Sequence, residues 1–204
     1  LSNLWLGSAP RQDDFRADTT LPTGWYRVQG TDYANSGFDR GHNCPSADRT
    51  STIADNSATF LMTNMMPQAP DNNQGPWEAL ESYCRTLIGQ GNELYIVAGG
   101  AGQGGTGSKG GVTQTITNGH VTVPSQTWKV IVVLTDAGGN DILRVTNATR
   151  TIAVIMPNQQ GIRANDWRSY RTSVDQVEQL TGYDFFSNVP VTVQSVIEAR
   201  VDNL

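Results

Sequence analysis

From residue 93 to residue 156 the chain returns repeatedly to short apolar runs rich in Val, Ile and Thr, each closed by turn-forming residues. Runs of this length with β-branched character read as strands rather than helices. They fall near 93–98, 113–117, 120–123, 127–134, 141–145 and 151–156, and earlier ones lie near 25–28, 38–43 and 59–63. Asn118-Gly119, set between two β-branched runs, is a two-residue hairpin signal. Helical spacing occurs in only three places. Over 77–90, Trp77, Leu80, Cys84, Leu87 and Ile88 form one stripe, with Pro76 in the first turn and Gly89 and Gly91 at the end. Ser173 opens a capping box that predicts a helix over 173–181, and an amphipathic pattern predicts a last one over 192–201. Many strands with a few interspersed helices predict an α+β fold, not a doubly wound parallel one. At 204 residues, with no linker and no internal repeat, the chain reads as a single domain, 1–204.

Composition narrows the function classes. The formal net charge is -5, whereas tight sequence-independent binding to nucleic acid needs a surplus of Lys and Arg. That argues against a histone-like or repressor-like binder. It does not exclude an enzyme that cuts nucleic acid and releases it, since such an enzyme needs only a local cationic site. No stretch approaches the roughly 20 apolar residues of a membrane helix, so no membrane association is expected. Residues 99–111 contain eight glycines but no Gly-Lys pair, so they do not form a phosphate-cradling loop; a flexible surface loop is expected. The start of the chain lacks the basic and apolar regions of a signal peptide, although a processed secreted protein would look the same.

Histidine is scarce, with only His42 and His120 present. His120 follows the predicted turn and reads as a solvated hairpin residue. His42 stands in Asp39-Arg40-Gly41-His42-Asn43-Cys44-Pro45, where an acid, a base and an imidazole crowd around a glycine. In a strand, Arg40 and His42 would face one side and Asp39 the other. One surface would then offer a cation for phosphate and a base for water. Alone, this cluster is better explained as a salt-bridged strand end. A second segment changes that balance: amides and acids accumulate from Asn64 through Asp71, Asn72 and Asn73 to Glu81, more than one helix cap requires.

The string Asp39-Arg40-Gly41-His42 resembles the signature of the DNA/RNA non-specific endonucleases, and Asn73 through Glu81 resembles the second half of that family's ββα-metal motif. The resemblance covers nearly the whole chain, from Trp5-Leu6-Gly7 to Tyr183-Asp184-Phe185, and is closest to the secreted cyanobacterial-type members. It implies a central antiparallel sheet flanked by helices, with the ββα-metal element at one face. It implies metal-dependent cleavage of DNA and RNA with little sequence preference, leaving 5′-phosphate ends. By resemblance His42 is the general base, Asn73 the direct ligand of one divalent cation (Mg²⁺ or Mn²⁺), and Glu81 a holder of metal-bound water. Arg11 resembles the transition-state arginine. Asp39 and Arg40 match the two residues before the family's base. Arg85 resembles a substrate-groove arginine, and Asn64 lies in a stretch similar to the active-site wall.

Cys44 stands where many relatives have Ala. The resemblance packs its strand against the helix of Cys84, so a disulfide and two buried free thiols are both open, and a disulfide would suit an exported protein. The expected location is secreted or periplasmic. Some relatives have a protein inhibitor, so one is an admissible partner beside DNA and RNA. The alternative function is a catalytically silent relative that binds nucleic acid or inhibitor; such a chain should have lost His42, Asn73 or Arg11, and this one keeps all three.

Overall fold

A computed structural model of the chain describes residues 1–204. In chain order its main elements are β1 (Asp39–His42), α1 (Ile53–Ala58), β2 (Met65–Gln68), α2 (Pro70–Asn72), α3 (Glu78–Gly89), β3 (Asn92–Ala101), β4 (Thr115–Ile116), β5 (Val121–Thr122), β6 (Gln126–Thr135), β7 (Arg150–Pro157), β8 (Arg171–Thr172), α4 (Val174–Thr181) and α5 (Val191–Ile197). The principal sheet is antiparallel, in the order β3-β6-β7-β8. β1 pairs only with β2, and β4 only with β5.

β6 shows why the sheet is apolar on both sides. Successive side chains of a strand point to opposite faces. Ile131 joins Trp77, Leu80, Cys84, Leu87 and Ile88 in the core beneath α3, while Trp128 and Val130 join Val174 and Val177 beneath α4. Helices cover both faces, so the run from Val130 to Leu134 has no solvent side to alternate towards. α4 begins as predicted, with the Ser173 hydroxyl accepting from the Gln176 N–H at 3.2 Å, and ends at Gly182 with φ +75°.

Five expectations need correction. Residues 25–28 are not a strand, and Trp25 and Tyr26 lie exposed. The strand expected at 59–63 lies a few residues later at Met65–Gln68, where Met and Pro hide it from a β-branched criterion. Residues 141–145 form a 3₁₀ turn, Asp141–Arg144, instead of a strand. The β4–β5 hairpin is real, but Ile116 pairs with Val121, so four residues connect the strands and Thr117 joins Asn118 at positive φ. The last helix is also shorter than predicted, ending at Ile197.

The glycine-rich stretch is tied down rather than loose. Its first residues complete β3, where Gly99 pairs with Trp128. Gly105 and Thr113 exchange backbone hydrogen bonds, Thr106 N–H donates to the Asn158 carbonyl, and Ser108 N–H donates to the Gly37 carbonyl.

Candidate active site

β1 and β2 form the ribbon that carries His42, pairing Asp39 with Gln68 and His42 with Met65. Gly41 permits their close approach. A Cβ at that position would lie 2.2 Å from the Gln68 side-chain oxygen, so any other residue would push Gln68 aside. Alternation along β1 then separates its polar side chains. Arg40 and His42 both pack against Phe15, while Asp39 turns towards the start of the α3 segment.

On the Asp39 side, a π-helical turn, Asn73–Trp77, bridges α2 and α3. Gly75 departs from helical geometry (φ -123°, ψ -114°), and a Cβ there would lie 2.6 Å from the Arg163 carbonyl oxygen. The amide-rich stretch divides its work. Asp71 pairs with Arg163 at 2.9 Å, and Asn72 donates to the Thr127 hydroxyl at 2.9 Å inside the core. Asn73 Nδ2 and Gln74 Nε2 both donate to Asp39 Oδ2, at 2.8 and 2.7 Å. Because Asn73 gives its nitrogen to Asp39, its Oδ1 remains as a hard, neutral acceptor, the donor type suited to a divalent cation. The donor set therefore fits a hard ion held by one protein ligand and waters.

On the other side, two phenyl rings organise the cations around the imidazole. The Arg40 guanidinium lies 3.8 Å from the Phe15 centroid, and Arg11 lies 4.9 Å from that of Phe60. The His42 ring meets both edge-on, at 5.9 and 5.2 Å. Arg11 is further aimed by Asp13, at 2.6 Å, and by the Ser46 hydroxyl, at 2.8 Å. His42 is 9% exposed and its Nε2 has no hydrogen-bond partner. Burial, reinforced by the positive charge of Arg11, pushes its pKa down to about 4, so the ring is neutral at physiological pH. An unprotonated imidazole with a free nitrogen is what a base for water requires.

Arg11, Phe15, Asp39, Arg40, Asn73 and Gln74 line one open cleft of about 900 Å³. His42 lies beneath its wall, against Phe15, and Glu81 and Arg85 are not brought into it. These two lie on the β1-facing side of α3, where Glu81, Asn43, Cys44, Asp48, Cys84 and Lys129 border a smaller cavity of about 110 Å³. Lys129 is 1% exposed, with Nζ 4.1 Å from the Trp77 ring centroid and 3.4 Å from Glu81 Oε1. Burial raises the Glu81 pKa, and Lys129 opposes that rise. Arg85 pairs with Asp48 at 2.9 Å and accepts orientation from Ser82, to which it donates at 2.9 Å. Asn64 is fully occupied with backbone: its oxygen accepts from Cys44 N–H, and its nitrogen donates to the Cys44 and Thr59 carbonyls. It therefore clamps the end of β1 instead of offering an amide to substrate. Cys44 and Cys84 are free thiols on the same small cavity, and burial raises both pKa values, that of Cys84 to about 12. His120 stacks on Tyr26 at 4.0 Å, away from the cleft.

Sequence reasoning missed Phe15, Phe60, Ser46, Gln74 and Lys129. Lys129 carried a usable signal, as the only charge inside an otherwise buried strand. The phenylalanines carried none, because nothing local distinguishes a platform ring from a core ring.

The β1–β2 ribbon with α3 behind it has the architecture of the ββα-metal nucleases. The whole-chain comparisons agree: residues 1–192 match the model of the DNA/RNA non-specific endonuclease family. The chain belongs to that family and is an endonuclease acting on DNA and RNA; nucleases of this family are metal-dependent. It is 56% identical over 203 residues to a nuclease of Nostoc sp., an alignment covering all of this chain and 70% of the relative. It is 31% identical to human mitochondrial endonuclease G, covering 88% of this chain and 58% of that one. The crystal structure of an EndoG/EndoGI complex contains a chain with the same fold, with TM-score 0.75, 24% identity, and coverage of 94% of this chain and 77% of that chain.

Proposed function

We propose that the chain hydrolyses phosphodiester bonds with His42 as general base and Asn73 as the one direct protein ligand of a Mg²⁺ or Mn²⁺ ion. The reading rests on one observation: the Asp39 hydrogen bond turns the Asn73 amide so that Oδ1 is left free. His42 Nε2 takes the proton of a water molecule as that water attacks phosphorus. Arg11 and Arg40 pair with phosphate oxygens through their planar forks, held in place by Phe60 and Phe15. Glu81, outside the cleft and engaged through Oε1 by Lys129, would reach the cation only through water held on Oε2. A bound divalent cation supplies charge neutralisation at the phosphate, and binding through one neutral ligand keeps most of its waters. Departure of the 3′-oxygen leaves the phosphate on the 5′ end. Contacts confined to phosphate carry no base readout.

From the resemblance to secreted members of the family we also propose a location outside the cytoplasm, secreted or periplasmic. A protein inhibitor is a further partner in this reading, since the structural relative was solved in complex with one. Plasmid digestion tests the catalytic reading. Cleavage should stop in EDTA, return with added Mg²⁺ or Mn²⁺, and fall at least about a hundredfold in His42→Ala with DNA binding retained. Turnover by His42→Ala at the parental rate would remove the imidazole from the mechanism.

A further inference from the structure

A second group of acids lies away from the cleft, where the C-terminal segment meets α4. Asp175 and Glu178 share one face of α4, and Glu198 follows α5; one carboxylate oxygen from each lies within 4.8 Å of the others. The backbone brings them together: Asp175 N–H donates to the Glu198 carbonyl at 3.1 Å, and Phe185 N–H donates to Glu178 Oε1 at 2.8 Å. Glu198 is 7% exposed, its Oε1 has no hydrogen-bond partner, and its side chain brings a carboxylate oxygen within 4.8 Å of those of Asp175 and Glu178. None of the chain's ion pairs brings a Lys or Arg to these residues. The remaining neighbour that acts on Glu198, Asp184, is also an acid.

Three oxygens confined in this way, one on a buried side chain lacking a donor, need a cation. We propose that Asp175, Glu178 and Glu198 form a second divalent-cation site, structural in role and selective for Ca²⁺. Points no more than 4.8 Å apart all lie within about 2.8 Å of a common centre, which accommodates the 2.3–2.6 Å of Ca–O bonds, and carboxylates from separate elements suit the flexible shell of Ca²⁺ better than the near-ideal octahedron that Mg²⁺ demands. Asp175 is exposed, so water can complete the flexible shell that Ca²⁺ accepts. Bound there, the ion joins α4 to the segment after α5. That segment is already held to β7 by the Thr151 hydroxyl donating to the Ile197 carbonyl at 2.9 Å and by Asp202 with Arg150 at 2.7 Å.

Thermal unfolding of the full chain in millimolar Ca²⁺ and in EDTA tests the site. Occupancy at 10 to 100 times Kd should raise Tm by roughly 4–8 °C. Asn73→Ala should keep the whole rise, since it alters only the cleft. Asp175→Asn with Glu178→Gln should abolish it. Mg²⁺ should give a smaller rise than Ca²⁺ at equal concentration. Calorimetric titration of Asn73→Ala with Ca²⁺ should find one site, a measurement that stands even if the double variant folds poorly. An unchanged Tm in Ca²⁺, an equal rise in the folded double variant, loss of the rise in Asn73→Ala, or no calorimetric site would each overturn the proposal.

Discussion

Arg40 rests on Phe15 at the rim of the cleft with solvent on its other side, whereas Lys129 is enclosed between Trp77 and Glu81 beneath α3. Both are cations set against an aromatic face. Arg40 can exchange water for a phosphate at little cost, because its charge is never stripped of solvent. Lys129 is 1% exposed and has Glu81 as its one carboxylate partner, so losing either member leaves a buried charge uncompensated. The exposed region can therefore tolerate loss of a partner with a functional penalty alone. The enclosed one would pay in folding.

The largest expected effect follows from that asymmetry. Lys129→Met removes one member of a buried pair and leaves Glu81 uncompensated, which should lower unfolding free energy by about 3–5 kcal/mol. Urea denaturation measures it, and adding Glu81→Gln should restore a large part. Equal losses in the single and double variants would mean that Lys129 contributes by packing and not by charge.

His42 sits between the two regimes, buried like Lys129 but with an unpaired nitrogen. Its native pKa of about 4 lies below the ordinary 6.5. As pH falls through that window the unfolded chain binds a proton that the native chain refuses. Stability should thus be complete above pH 6.5 and decline by roughly 3 kcal/mol towards pH 4. Comparing urea midpoints of the parent and His42→Gln across this range isolates the contribution; identical slopes would assign the loss to other groups.

Arg11 gives the smallest of these effects. Its bond to exposed Asp13 contributes about 0–1 kcal/mol to folding, so Arg11→Ala should unfold nearly as the parent does. If its fork pairs best with the transition-state phosphate, kcat should fall roughly ten- to a hundredfold with KM nearly unchanged, and Arg11→Lys should recover only part. A raised KM with kcat intact would make Arg11 a substrate anchor like Arg40.

The two regions differed as much in how well the sequence revealed them. β6, α3 and α4 were legible because burial on defined faces imposes a period, and a capped start like that of Ser173 marks a boundary. β2 was not, since Met65-Met66-Pro67-Gln68 gains its strand character from pairing with β1 rather than from its own side chains. His42 stood out by resemblance and because the chain has only two histidines, and Asn73 by resemblance and by the amides and acids that accumulate around it. The partition between cleft and enclosed pair stayed hidden, because α3 carries Glu81 in sequence close to Asn73 while Lys129, which claims its carboxylate, is 48 residues further along. The bonds of the Asn64 amide to the backbone of Cys44 and Thr59 were hidden for a similar reason, since nothing local in the sequence signals them.

The π turn at Asn73–Trp77 also works as a ruler. One residue removed from it would rotate everything on its N-terminal side by about 100° and draw it in by about 1.5 Å relative to α3. Trp77, Leu80 and Cys84 could keep their core seats, yet Asn73 would swing away from Asp39. The hydrophobic stripe of α3 would not register the change. Insertions and deletions in these five residues should consequently be the kind that leave a folded, soluble protein with no cation site, invisible to any screen for stability and plain in any screen for cutting.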